Sequence, residues 1–222
     1  MPRDPANWSA RIAAADVRNH LITTTEQLEA VFSEPPLANA LTKEIGHINA
    51  SYRALIEAAP FFALATNGPE GLDCSPRGDP AGFVRVADEK TLLIPDRRGN
   101  NRIDSFRNIV RDPRVALMFM IPGCGEVIRV IGRAAISADP QLCGEFILNG
   151  KIPKVVLVVA VERVYYQCPK ALVRSKLWDP STWIDRKTLP SSGKILADIT
   201  GGRHDADKHD REYPERLKAT IY

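Results

Sequence analysis

Residues 61–75, with the sequence FFALATNGPEGLDCS, decide the fold class. Aromatic and apolar residues fill positions 61–66, a turn-forming Asn-Gly-Pro-Glu-Gly cluster follows at 67–71, and residues 72–75 continue the chain. Short apolar segments that flank such a cluster are typical of a β-hairpin. The stretch therefore predicts two antiparallel strands.

The same succession of short β-forming segments and turns continues along the chain. Two further hairpins are predicted, with turns at residues 88–90 and 122–125. Their strands cover residues 83–87, 91–94, 115–121 and 127–136. Six short strands in sequence indicate an antiparallel barrel or sandwich.

A further β-forming segment covers residues 155–166. Its first five residues, Val-Val-Leu-Val-Val, form an uninterrupted apolar run, whereas a half-exposed strand alternates. We expect this strand in the centre of the barrel, buried on both faces or covered by a partner subunit.

Two amphipathic helices are predicted before the first strand. The first begins with Thr24 as its cap, because Gln27 follows at capping-box spacing, and it ends at the proline pair 35–36. The second carries one apolar stripe and ends near Pro60. The stripe consists of Ile45, Ile48, Tyr52, Leu55 and Ile56. We expect both helices to pack as a lid on the strands.

Two more helices interrupt the strands, one near residues 103–110 and one after Asp139, whose neighbouring proline suits a first helical turn. Residues 1–22 are polar and irregular, and the charged segment 203–218 is expected to be partly disordered or draped on a neighbour. The predicted fold is mainly β with peripheral helices (α+β). Its parts are an N-terminal helical extension at 1–59, a β domain at 60–180 and a C-terminal extension at 181–222.

Composition narrows the class of protein. A chain of 222 residues that is 44% hydrophobic can bury one sizeable core, which fits one elaborated domain. Because no run of eighteen apolar residues and no signal-like start occur, we expect a cytoplasmic protein with no membrane partner. The net charge of +3 is too slight to argue for nucleic acid. The four cysteines lack metal-binding spacing, so we expect reduced thiols and no metal site.

Residues 95–105, PDRRGNNRIDS, are the most informative candidate for a ligand site. A strand ends, a glycine loop turns and a helix begins there, so unpaired N–H groups and the positive end of the helix dipole coincide. Arg98 and Arg102 add guanidinium groups that match phosphate oxygens, whereas Arg97 would point the other way in an extended chain. A basic surface loop is an equally good interpretation of the composition.

Residues 74–83, CSPRGDPAGF, form a second candidate. Two prolines and two glycines fix an irregular backbone that a flat ligand could approach closely. A rigid crossover with a surface ion pair between Arg77 and Asp79 is an equally good interpretation.

Other chemistry-bearing patterns are incomplete. The glycines near Cys124 lie in a hairpin turn and lack the third glycine of a dinucleotide fingerprint, and no hydrolase G-x-S-x-G elbow occurs. His204 and His209 fit a solvated tail better than a metal site. The arginines of residues 97–114 do not alternate with aromatic platforms, so we expect no nucleic-acid partner.

Several segments, taken in order, resemble the pyridoxamine phosphate oxidase-like flavoproteins. They are residues 61–66 with the Gly71 turn, 75–79 (Ser-Pro-Arg-Gly-Asp), 98–105, 112–115 (Asp-Pro-Arg-Val) and 130–134 (Val-Ile-Gly-Arg-Ala). The chain is similar in particular to the bacterial branch that reads P-R-G-D-P and later Cys-x-Lys-Ala-Leu-x-Arg-Ser, here residues 168–175. The resemblance covers roughly residues 54–180.

The resemblance implies a six-stranded antiparallel split β-barrel that forms a homodimer and binds two FMN molecules in the dimer cleft. The cofactor-binding residues it implies are Ser75, Pro76, Arg77, Gly78, Asp79, Ile94, Pro95, Asp96, Arg98, Asn101, Arg102, Glu126 and Arg174. Residues 75–77 would line the ring and ribityl chain, and residues 94–96 would flank the ring. Arg98, Asn101 and Arg102 would hold the phosphate. A backbone N–H of residue 78 or 79 would face the hydride-accepting nitrogen of the ring. Glu126 and Arg174 would come from the second subunit.

The implied function is an FMN-dependent oxidoreductase that acts on a small organic or nicotinamide substrate in this cleft. No catalytic base is assigned, since the flavin itself carries the electron transfer. The chain lacks the Arg-x-Val-Leu-Leu-Lys strand and the Arg-x-His motif of the true oxidase, so vitamin B6 oxidation is not expected. A non-catalytic flavin- or haem-related binding or storage module on the same barrel is the alternative, and a deazaflavin cofactor is a third interpretation.

Overall fold

The computed structural model describes Val17 and residues 19–222. Its helices are α1 (Thr25–Val31), α2 (Ala38–Thr42), α3 (Ala50–Ala58), α4 (Asp104–Arg111), α5 (Pro140–Gly144), α6 (Lys170–Ser175), α7 (Ser192–Ile199) and α8 (Ala206–Thr220), with short 3-10 turns at Pro180–Thr182 and Arg186–Thr188. Its strands are β1 (Phe61–Gly68), β2 (Gly71–Gly78), β3 (Arg85–Asp88), β4 (Thr91–Pro95), β5 (Arg114–Met120), β6 (Val127–Ser137) and β7 (Val156–Gln167).

All seven strands belong to one antiparallel sheet, in the order β2-β1-β5-β6-β7-β4-β3. Every segment that the sequence predicted as β forms a strand, and the mainly β class with peripheral helices is confirmed. The six-stranded barrel needs correction. The short strand β3 also pairs, and the edge strands β2 and β3 each have one neighbour within the described chain, so the sheet is open and seven-stranded.

The sheet curls strongly although its edges do not pair. Four strands separate β2 from β4 in the order, yet Nη1 of Arg77 on β2 lies 2.9 Å from Oδ1 of Asp96, just after β4. Phe62 on β1 stacks on Phe83, next to β3, with ring centroids 5.9 Å apart. The curvature thus brings the two ends of the sheet together across a gap.

Alternate residues of the strands form the core, as the period of two requires. Leu64 on β1 and Leu117 on β5 are buried, and Ile56 on α3 closes the same cluster. Burial of each such side chain contributes about 1.5–3 kcal/mol. Strand β7 lies between β6 and β4, which confirms its predicted central position.

The helix before the first strand starts later than predicted. Asn49 caps α3 by accepting a hydrogen bond from the backbone N–H of Tyr52, so the helix begins at Ala50. Ile45, assigned to the helical stripe, instead forms a β-bridge with Val164. The apolar period predicted the buried face correctly but could not distinguish a bridge from an extra helical turn.

The N-terminal helices α1 and α2 contribute no buried residue. Thr24 caps α1 as predicted, since its hydroxyl accepts a hydrogen bond from the N–H of Gln27. The expected packing of this region as a lid stays a prediction. Helices α4 and α5 form where predicted, and Asp139 caps the latter.

The prediction of disorder for residues 203–218 is wrong, because this segment forms α8, which packs on α7. Asp210 accepts hydrogen bonds from the hydroxyl of Ser191 and, at 2.9 Å, from the N–H of Gly193. Of the segment 1–22 that was predicted to be irregular, residues 1–16 and 18 lie outside the described residues. Within the part of the chain that the structure describes, no helix is both long and apolar enough to cross a bilayer.

Candidate functional site

A cleft of about 1020 Å³ opens at the gap between the two ends of the curled sheet. It is lined by residues 73–78, Phe83, 95–106, 151–154 and Tyr222. The edge strand β2 forms one wall, and the end of β4 with the loop into α4 forms another. Both stretches that the sequence singled out as candidate ligand sites therefore meet in one cavity.

The start of α4 is held in place by two polar contacts with the sheet. The buried hydroxyl of Ser105 donates to Asp73 on β2 at 3.0 Å. The amide of Asn108 donates to the hydroxyl of the buried Thr66 on β1 at 3.1 Å. These bonds fix the start of the helix at the edge of the cleft. Ile103 occupies the N-cap position, and its side chain makes no capping hydrogen bond.

The two arginines proposed for phosphate binding both line the cleft but differ in their contacts. Arg102 is bound to Asp104, with Nε and Oδ2 2.5 Å apart, and its side chain is 79% exposed. This pairing lowers the pKa of Asp104. Arg98 forms no ion pair with any described acidic residue. An incoming anion therefore meets Arg98 directly and must compete with Asp104 for Arg102.

Arg77 faces the cleft from strand β2, opposite Asp96. One guanidinium nitrogen binds Asp96, the guanidinium carbon lies 5.1 Å from the ring centroid of Phe106, and the buried Nε has no hydrogen-bond partner among the described residues. Pro76 beside it is accommodated because β2 is an edge strand. The alternative Arg77–Asp79 ion pair does not form.

Asp79 lies behind the cleft wall and anchors it. Its side chain is 2% exposed and binds Arg97, with Nε and Oδ2 2.5 Å apart. Arg97 also donates to the carbonyl of Phe146 at 2.7 Å. Its guanidinium is therefore already bound by two protein groups. Tyr222 donates its phenol to Oδ1 of Asp79 at 2.9 Å.

The electrostatics of the cleft concentrate on Asp96. Burial raises the pKa of its carboxyl above the ordinary value, and the positive charges of Arg77, Lys154 and Arg97 only partly oppose this effect. The hydrogen bond to Asp79 raises the pKa of the Tyr222 phenol, which keeps the phenol in its donating form. The cleft thus combines a partly desolvated acid with a ring of cations.

The structure brings most of the predicted cofactor residues together. Those that line the cleft are Ser75, Pro76, Arg77, Gly78, Pro95, Asp96, Arg98, Asn101 and Arg102. Ile94 is buried in the core instead, because it points to the other face of β4. The N–H of Asp79 donates to the carbonyl of Pro60, which leaves Gly78 as the candidate for a backbone donor to the ring.

Glu126 and Arg174, predicted to approach from a second subunit, do not line the cleft of their own subunit. Glu126 lies just before β6 beside Cys124, and Arg174 lies on α6. Tyr222 and residues 151–154 also line the cleft and were not predicted from the sequence. His204 and His209 contact each other at 3.1 Å, and no group of three metal-binding side chains occurs among the described residues.

Comparison with known proteins gives one family match. The sequence model described as pyridoxamine 5'-phosphate oxidase matches residues 48–168, more than half of the chain. No curated protein matches the chain.

Three of the solved structures to which the chain is similar illustrate the range. HupZ of Group A Streptococcus is 19% identical with a TM-score of 0.45, over 55% of this chain and 94% of that one. General stress protein 26 of Bacillus anthracis is 18% identical with a TM-score of 0.40, over 51% and 88%. An F420 reductase is 21% identical with a TM-score of 0.40, over 53% and 98%.

Proposed function

The chain belongs to the pyridoxamine 5'-phosphate oxidase family, and from that premise we propose that it is an FMN-dependent oxidoreductase whose small organic or nicotinamide substrate binds in the cleft. The observation that carries the proposal is the end of the cleft where the loop with Arg98 meets the start of α4. There the first turn of α4 has no side-chain cap, and Arg98 has no acidic partner among the described residues. Such a pairing of open N–H groups with a free guanidinium suits a phosphate monoester.

The residues present fit FMN in size and in polarity. A cavity of about 1020 Å³ is at the upper end of the range for small-molecule and cofactor sites. The buried Nε of Arg77 has no hydrogen-bond partner in the described part of the chain, and a buried donor without a partner costs about 1–3 kcal/mol. A ligand acceptor at this wall would remove that cost.

FMN, when bound, supplies the electron or hydride transfer. The chain's own residues bind and orient: Arg98 and the start of α4 hold the phosphate, and the Arg77–Asp96 pair fixes the adjoining wall. Tyr222 lines the same cleft and is held by its hydrogen bond to Asp79. The lining carboxylates are engaged by neighbours, which supports a mechanism without a dedicated base. Asp73 accepts from Ser105, Asp96 from Arg77 and Asp104 from Arg102.

The proposal includes a homodimer in which Glu126 and Arg174 of one subunit complete the cleft of the other. Exposed apolar side chains beside Arg174 support it, since Val173 is 66% and Leu177 44% exposed. A second subunit would cover these exposed apolar side chains. A cytoplasmic location is part of the proposal, because all four cysteines are free thiols.

The test is the identity and reactivity of the ligand that the purified protein carries. We expect a yellow protein, FMN in the extracted ligand by mass spectrometry, and reduction of the bound flavin by NADH or NADPH under anaerobic conditions. Bound flavin that no donor reduces would favour a binding or storage module, and a deazaflavin in the extract would change the cofactor. A colourless monomer that ignores added FMN would refute the proposal.

A further inference from the structure

The cations of the cleft outnumber the carboxylates that neutralise them. Six positive side chains line it: Arg77, Arg97, Arg98, Arg102, Lys151 and Lys154. Three of them form ion pairs: Arg77 with Asp96, Arg97 with Asp79, and Arg102 with Asp104. Arg98 and the two lysines pair with no described acidic residue. Because Arg98 belongs to the phosphate end, two positive charges remain unassigned.

Lys151 ends a short, well-defined turn, and Lys154 follows it three residues later. Leu148 and Lys151 exchange both backbone hydrogen bonds, at 3.0 and 2.9 Å. The two residues between them, Asn149 and Gly150, have φ of +50° and +71°, as in the tight two-residue turns that favour Asn-Gly. The turn therefore holds Lys151 at the cleft by its backbone.

The chain from Lys151 to the next strand is also anchored. Pro153 is buried, and the N–H of Asp96 donates to the carbonyl of Val155 at 3.0 Å. Lys154 is close enough to Asp96 for its charge to lower the pKa of that carboxyl. Both ammonium groups are exposed, so they are accessible to a ligand in the cleft.

We propose that Lys151 and Lys154 form a second anion subsite, separate from the phosphate loop, which binds the negatively charged group of the organic substrate. The inference rests on the proposed function and extends it by naming the substrate class, a small organic anion. Two flexible point charges suit a phosphate or a carboxylate group alike.

The test compares two variants in FMN-loaded protein. Lys151→Met with Lys154→Met removes the subsite, and Lys187→Met with Lys208→Met removes two exposed lysines that do not line the cleft. Binding of inorganic pyrophosphate and of citrate is measured by calorimetry, with the FMN already bound. We expect the cleft variant to bind one of the two probes at least about tenfold more weakly. The control variant and the FMN affinity should stay within about threefold of the wild type.

The preferred probe distinguishes a phosphate-bearing from a carboxylate-bearing substrate. Equal loss in both variants, or no measurable probe binding by the wild type, would overturn the inference. Loss of FMN in the cleft variant would also overturn it, because the lysines would then belong to the cofactor site.

Failure of the proposed function can be told apart from failure of the subsite. If the protein takes up no FMN, the same titrations are run in an Arg98→Ala background, which removes the phosphate end. Probe binding that still depends on the two lysines would support the subsite alone, and probe binding that is independent of them would contradict it.

Discussion

The phenol of Tyr222 donates a hydrogen bond of 2.9 Å to Oδ1 of Asp79, which joins residues 143 positions apart in the chain. Asp79 is the buried member of the pair, and its other oxygen binds Arg97. The contact joins the segment after α8 to the chain directly after β2, the strand that forms one wall of the cleft. One buried carboxylate thus couples the end of the helical extension to the candidate cofactor site.

We expect Tyr222→Phe to lower the Tm by roughly 2 to 4 °C, as loss of one hydrogen bond in a protein of this size does. The sign of the pH dependence follows from the raised pKa of the phenol. A raised pKa gives stability that is fully present below the ordinary value of about 10 and is lost as the pH rises through the folded-state value. The Tm difference from the wild type should therefore be constant from pH 6 to 9 and shrink at higher pH. A difference that grows in alkali would contradict the contact.

Arg98→Ala combined with Arg102→Ala should weaken FMN binding by at least about a hundredfold, because two charge-assisted hydrogen bonds are worth roughly 3–6 kcal/mol. Arg203→Ala with Arg211→Ala removes two exposed charges outside the cleft and should leave the affinity unchanged. Flavin fluorescence titration measures both. Full FMN occupancy in the first variant would remove Arg98 and Arg102 from the phosphate site.

The contribution of Asp96 to stability should fall as the pH rises, whereas that of an aspartate in a surface ion pair increases. Burial raises its pKa, so its contribution is fully present below about pH 3.9 and is lost as the pH rises through the folded-state value. The stability advantage of the wild type over Asp96→Asn should therefore decline as the pH rises above about 4. Urea unfolding followed by tryptophan fluorescence across that range checks the slope.

Asp112 provides the control of opposite sign. Hydrogen bonds from Arg114 and Asn67 lower its pKa well below the ordinary range. Its contribution is therefore present above about pH 3.9 and is lost as the pH falls through the folded-state value. The stability of the wild type relative to that of Asp112→Asn should increase as the pH rises from about 3 to about 5. Slopes of the same sign for both aspartates would show that Asp96 is not desolvated.

The strands and two helices could be predicted because their signals are local. Hairpin turns such as residues 67–71 and caps such as Asp139 act within a few residues. Helix α8 was missed because most of its residues are charged, none of them is buried, and Pro214 inside it is a residue that ordinarily ends a helix. The curl that brings Arg77 to Asp96 depends on the packing of the whole sheet, which no local pattern encodes.

The candidate site was predictable only in the parts that lie on contiguous motifs. Residues 75–78 and 95–102 were found because glycine, proline and arginine cluster there. Tyr222 stands alone at a great sequence distance, and no local signal distinguishes it. The turn before Lys151 does carry one, since Leu148-Asn149-Gly150-Lys151 contains the Asn-Gly pair that marks a tight hairpin.

Gly132 tests the strand pairing at the centre of the sheet. The register of β6 against β7 shifts between Ile131 and Gly132, and a Cβ at Gly132 would fall far inside contact distance of the carbonyl oxygen of Ala160. That oxygen is backbone in a central strand and cannot move without breaking the ladder. We therefore expect Gly132→Ala to destabilise the protein by roughly 1–3 kcal/mol or more, the usual cost of overpacking.

Gly144 is the matched control for this substitution. It ends the short helix α5, and nothing lies within 4 Å of an added Cβ. Gly144→Ala should be neutral or stabilise by up to about 1 kcal/mol, because alanine loses less backbone entropy on folding. Urea unfolding of the two variants measures the contrast. A Gly132→Ala protein as stable as the Gly144→Ala protein would contradict the pairing of β6 with β7 at this bulge and, with it, the curvature that places β2 across the cleft from β4.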